Sequence, residues 1–134
     1  MTINEVIAML VWSGASAVLL VIIMIVDSLF TRYKDLVEIK KGNVAVTTRF
    51  VMKLLAQAYI LSQSITTSNH LGEALVVSII SFLILLLLEG ILRILLRLTI
   101  GLNLDKGTQE GQIAHALFAG SIHVAGALVI GSCL

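Results

Sequence analysis

The chain has 134 residues, 58% of them hydrophobic and 13% charged, with a formal net charge of +1 and a mean hydropathy of +1.05. A soluble domain averages about 25% charged residues, and a short soluble chain buries the smallest fraction of its apolar surface, so the composition excludes a water-soluble globule and demands a bilayer as solvent. One cysteine, Cys133, excludes an internal disulfide and a cysteine metal cluster, and the absence of proline leaves no proline kink.

The N-terminus, Met1 to Glu5, lacks the basic region of a secretory signal, and the apolar run behind it is too long for one. Thr2 and Glu5 match the capping-box spacing, which predicts a helix from Ile3. Four apolar windows follow, about Glu5 to Phe30, Asn43 to Ile65, Ala74 to Thr99 and Gly111 to Leu134. Each is near the roughly 20 residues that a spanning helix needs. The expected fold is all-α: a polytopic membrane protein of four transmembrane helices in a single membrane domain, 1–134, with hairpins over 1–65 and 66–134.

The connections are short and unequal in charge. The first carries Arg32, Lys34, Lys40 and Lys41, and the third carries Lys106 with Arg97 just before it. The second has no Lys or Arg. All nine basic residues lie in or near the first and third connections or in the spans leading to them. The positive-inside rule therefore predicts an N-out, C-out chain with both basic connections in the cytoplasm. Lys34 to Lys41 mixes apolar and charged residues at helical spacing, as in a short helix lying at the interface; a solvated basic turn fits equally well. Gly42 would end such a helix, and Asn43 would cap the next span.

At an offset of 69, Gly42, Ala45, Ala56 and Ala58 meet Gly111, Ala114, Ala125 and Ala127. This reads as two tandem hairpins in one orientation, a parallel internal repeat. The turn Glu38-Ile39-Lys40-Lys41-Gly42-Asn43 followed by Val44-Ala45-Val46, with its echo Thr108 to Ala114, resembles the bacterial domain of unknown function 350 family of YjfL-like small membrane proteins. The resemblance covers the whole chain and implies a four-span fold and a multi-pass place in the bacterial cytoplasmic (inner) membrane. It implies no activity. Arg49, Lys53 and Gln112 depart from the pattern.

Arg49 and Lys53 lie inside the second span, about 9 and 15 Å from Asn43 at 1.5 Å per residue. Glu89, Arg93 and Arg97 recur at spacing four in the third, with Glu89 about 14 Å from its inner end. A mid-bilayer charge costs roughly 2.5–3.5 kcal/mol on the insertion scale, so Lys53 and Glu89, at similar depth, are expected to pair. Asp27 is a candidate partner for Arg93, Arg97 or Arg49. The pair reads equally as part of an ion path or as a registry clasp, while Arg97 reads as snorkelling to headgroups. Four cations, Arg49, Lys53, Arg93 and Arg97, face two carboxylates, Asp27 and Glu89, a surplus that suits anionic lipid.

His115 and His123, eight apart, do not make a two-ligand face on one helix; a proton relay is open to them, and a neutral histidine bonded to a neighbouring span is the commoner case. Ala116, Gly120, Ala127 and Gly131 make a close-packing face, against the bundle or a second subunit. No phosphate loop, nucleophile–base pair, cofactor motif or nucleic-acid feature is present, so no enzyme activity is expected. Two functions stay open. One is a non-enzymatic, oligomeric membrane subunit or scaffold meeting anionic lipid or partner proteins through Arg32, Lys34, Lys40, Lys41 and Arg97. The other is a small ion or proton channel or transporter using Lys53, Glu89 and His123.

Overall fold

A computed structural model describes residues 1–31 and 33–134; Arg32 of the basic connection lies outside the described residues. Six helices follow in order: α1 (Ile3–Ser28), α2 (Asp35–Lys40), α3 (Val44–Thr67), α4 (Leu71–Ile100), α5 (Leu104–Gln109) and α6 (Ile113–Cys133). Four of them, α1, α3, α4 and α6, are long and apolar enough to cross a membrane. No strand occurs among the described residues.

Local chemistry sets the ends. Thr2 Oγ1 accepts from the Glu5 amide, and the Glu5 carboxylate accepts from the Thr2 amide at 2.7 Å. This capping box satisfies two amide groups that the first turn of α1 leaves without partners. Asn43 caps α3 through the Val46 amide, and the His70 ring caps α4 through the Glu73 amide. The long apolar windows then run as helices because a helix satisfies every backbone polar group within the segment.

The basic connections are built alike. α2 ends at Gly42 (φ +81°) and α5 at Gly111 (φ +85°), a left-handed conformation that glycine adopts without strain. The Asn43 amide donates to Glu38 O at 3.0 Å, and the Gln112 amide to Gly107 O at 2.9 Å. Asn43 Nδ2 also donates to Gln109 O at 2.9 Å. That bond ties the two turns together, so both lie at one end of the bundle.

α3 is the central helix. Its most extensive packing is against α6, with α4, α1, α2 and α5 also touching it. Small residues make the α3–α6 approach close. Ala116, Gly120, Ala127 and Gly131 are all buried. A methyl group on Gly120 would strike Met52, and one on Gly131 would strike Tyr59. The face rich in small residues is thus spent inside the monomer. An apolar core of Ala56, Ile60, Leu85, Ala127 and Ile130 joins α3, α4 and α6. The exposed apolar side chains of α1 and α4 are what a lipid-facing surface requires, there being no hydrophobic drive to cover them in hydrocarbon.

Candidate functional site

All four long helices send an ionisable side chain into one enclosed cluster. Lys53 Nζ on α3 lies 2.8 Å from Asp27 Oδ2 on α1, with the side chains 3% and 5% exposed. His123 on α6 stands between two carboxylates. Its Nε2 faces Asp27 Oδ1 at 3.9 Å, and its Nδ1 is in direct contact with Glu89 Oε1 of α4. The order is Glu89, imidazole, Asp27, ammonium, drawn from α4, α6, α1 and α3.

A second set lies one helical turn nearer the basic end. Arg49 Nη1 donates to Asp105 Oδ1 at 2.6 Å and to Tyr33 Oη at 2.9 Å. Arg93 Nη1 donates to Asp105 Oδ2 at 3.3 Å. Asp105 sits on the short helix α5, started by Asn103, whose side chain accepts from the Lys106 amide. Two guanidiniums on one carboxylate are charge-assisted bonds of the stronger kind. Burial alone would raise the Asp105 carboxyl, but the charge and hydrogen bond of Arg49, together with the charges of Arg93 and Lys53, hold the group below its ordinary range. Tyr33 is pushed up to about 12, first by burial and against the pull of Arg49. Asp35, at the start of α2, is raised by burial, with Lys53 only partly offsetting the penalty.

Between the two sets lies a cavity of about 10 Å³, lined by Arg49, Glu89, Arg93, Leu104, Ala119, Ile122 and His123. That is room for about one water. The cluster is therefore held by direct contacts rather than solvated.

A family model described as Domain of Unknown Function (DUF350) matches residues 1–134. The chain belongs to this family. No curated protein and no solved structure matches it.

In this DUF350 chain the pairing expected between Lys53 and Glu89 does not form. Lys53 takes Asp27 and Glu89 takes His123. The physical reason is reach. A lysine stem carries its ammonium well away from its own Cα, so depth counted along the helix axis misplaces the charge. Asp27 is likewise not the partner of Arg49, Arg93 or Arg97. Arg49 and Arg93 share Asp105, and Arg97 is exposed. The surplus of cations also disappears: Lys53, Arg49 and Arg93 meet Asp27, Glu89 and Asp105. His115 lies outside the cluster and packs against Gly107. Lys34, Lys40 and Lys41 are exposed. Sequence reasoning missed Asp105, Asp35 and Tyr33 because all three sit in connections. α2 shifted by 69 residues falls on 104–109, the bounds of α5, although the position that matches Asp105 is Leu36.

Proposed function

We propose that this protein is a non-enzymatic, multi-pass membrane protein that passes small ions or protons through its four-helix core. One observation carries the reading: buried polar groups continue from the charged cluster along the core, in tiers interleaved with apolar side chains. The first tier is the charged cluster. The second is a set of buried serines, Ser16, Ser64 and Ser78. Each lies eleven residues from a cluster member on its own helix: Asp27 on α1, Lys53 on α3, Glu89 on α4. Eleven residues are about three turns, so each serine shares a face with its charged partner, roughly 16 Å farther along the helix. All three lie on the side away from the basic turns. Ser16 Oγ and Ser78 Oγ have no hydrogen-bond partner among the described residues, although buried hydroxyls normally have one. Ile60 and Leu85, each 1% exposed, fall between the tiers, beside the buried Gln57 and Ser81. An apolar constriction between polar compartments is a barrier that opens by wetting. Intramembrane Asp, Glu and His chains are the usual material of proton relays.

In this reading the basic turns face the cytoplasm of a bacterial inner membrane, with both termini outside. The basic connections and their shared end support that orientation. The like bonding of the two turns, 69 residues apart, supports a duplicated hairpin. The exposed Lys34, Lys40, Lys41 and Arg97 suit contact with anionic headgroups.

A second reading has its own support. Each enclosed cation, Lys53, Arg49 and Arg93, has a carboxylate partner and the cluster is dry, as a structural clasp would be. The protein would then be an oligomeric subunit or scaffold, joined to a partner or to itself through the exposed apolar face of α1.

Reconstituted vesicles with an internal pH dye decide between them. Conduction predicts a proton or cation flux that Glu89→Gln alters. Folded protein with no flux above empty vesicles, together with a defined oligomer in mild detergent, would establish the scaffold instead.

A further inference from the structure

The proposed ion path leaves the ion unnamed, and the donor set at its centre narrows the choice. We propose that Asp27, His123 and Glu89 form a binding site for a divalent transition-metal ion, with the Lys53 ammonium as the internal cation that competes for it. The inference rests on the ion-translocating reading and names its cargo.

Three observations carry it. One ligand atom from each of Asp27, Glu89 and His123 lies within 4.8 Å of the other two. The three side chains come from three different helices and are 3–5% exposed, so they converge on a point inside the bundle rather than sharing a surface. The second observation is His123 Nε2, which is buried and has no hydrogen-bond partner among the described residues. Asp27 Oδ1 is 3.9 Å away. That is too long for an N–H···O bond. An ion about 2.0–2.2 Å from each ligand spans such a gap. Glu89 supplies the third observation. Its Oε1 is buried and has no hydrogen-bond partner among the described residues, which leaves it free to act as a ligand. The same carboxylate is within reach of the ion.

The chemistry points to a class. An imidazole with two carboxylates suits zinc, cobalt, nickel or manganese better than magnesium or calcium, which take all-oxygen shells. Two carboxylates match the charge of a divalent ion. Three protein donors leave coordination positions open, as a site that must release its ion requires and a closed structural site does not. Lys53 fits this arrangement. Its ammonium, 2.8 Å from Asp27 Oδ2, already occupies a cation position against the carboxylate that would ligate the metal, and a metal must displace it. A purely structural clasp predicts the opposite behaviour from a Lys53 variant.

The test titrates Co²⁺ into the full-length protein in detergent micelles, following visible ligand-field absorption, with metal content measured after desalting. The expected result is a single Co²⁺ per chain. Asp27→Asn, His123→Ala and Glu89→Gln should each weaken binding by roughly tenfold or more. Lys53→Met should tighten binding. A readout on the unmodified protein guards against variants that fail to fold: Co²⁺ should broaden the ring signals of His123 and leave those of His70 unchanged. Folded protein that takes up no Co²⁺, or that binds it equally after His123→Ala, overturns the site. Proton flux in vesicles of a protein that takes no Co²⁺ would remove the metal and keep the transport reading. A Co²⁺ site without any flux would keep the site and remove that reading.

Discussion

The partner of Lys53 is the sharpest quantitative consequence of the fold. Asp27→Asn leaves the ammonium enclosed and without its 2.8 Å carboxylate, at a side-chain exposure of 3%. Removing one member of a buried pair costs about 3–5 kcal/mol, and an unpaired charge at the centre of a span costs about 2.5–3.5 kcal/mol. The two scales meet at a loss of about 3 kcal/mol. Lys53→Met should cost less, about 2 kcal/mol on the same reasoning, because Asp27 keeps His123 at 3.9 Å. The double variant removes both charges and fills the space with an apolar chain, a replacement that is often near neutral. With the double variant near neutral, a double-mutant cycle should therefore return a coupling of about 5 kcal/mol, the sum of the two single losses. Equilibrium unfolding in mixed dodecylsulfate and maltoside micelles, followed by helical circular dichroism, measures it. A parallel cycle of Lys53→Met with Glu89→Gln should give a smaller coupling. Additivity within about 0.5 kcal/mol for Asp27 and Lys53, or a larger coupling for Lys53 and Glu89, would refute the pairing.

Other consequences can be measured in the same micelles or in vesicles. Asp105 is held low by Arg49, and a depressed acid gives stability above its unfolded pKa and loses it as pH falls through the folded one. Asp105→Asn should cost about 2 kcal/mol near neutrality, the worth of a charged hydrogen bond, and progressively less as pH falls below the ordinary carboxylate range. Asp35 carries the opposite sign. Burial raises its carboxyl, so its ionised form destabilises the fold above the folded pKa, and Asp35→Asn should stabilise at neutral pH and fade as a benefit near about pH 4. Glycines divide by their surroundings. Gly90 has open space where a methyl would go, so Gly90→Ala should gain about 0.5–1 kcal/mol from helix propensity; Gly131→Val drives into Tyr59 and should lose about 1–3 kcal/mol. Unfolding midpoints check each of these, and equal effects at the two glycines would contradict the packing. If the layer at Ile60 and Leu85 is the barrier, Leu85→Ser should raise ion leak through vesicles above that of the unmodified protein, and an unchanged leak would place the barrier elsewhere.

Much of the scaffold was legible because its causes are local. Four apolar windows, the Thr2–Glu5 capping box, the Asn43 cap and the Gly42 stop each depend on a few adjacent residues, and each is found where its chemistry puts it. Membership of Asp27, Lys53, Glu89 and His123 in the interior was legible too, since charges in spans must turn inward. Partner choice was not. It depends on rotation about each helix and on the reach of a lysine, and counting residues from the membrane surface gives neither. Asp105 shows a different failure. A carboxylate in a hydrophilic connection is normally solvated, and only the close packing of α5 on α6 and α3 brings it beneath Arg49.

The charge balance of the enclosed groups limits how the protein could work. Lys53, Arg49 and Arg93 meet Asp27, Glu89 and Asp105, so the set is neutral when His123 is uncharged and Asp35 holds its proton. In a low-dielectric interior an added charge is costly. A cation entering beside Asp27 cannot simply join the set; it must expel one or be matched by a new negative charge. Lys53 is the enclosed cation beside Asp27, and Asp35, whose carboxyl burial raises above its ordinary range, is the acid whose ionisation would offset an added charge. A divalent ion that replaced the ammonium while Asp35 released its proton would leave the interior neutral again. Exchange of a metal for a proton is therefore the mode of transport that this constellation opposes least, and an uncoupled cation leak is the mode it opposes most.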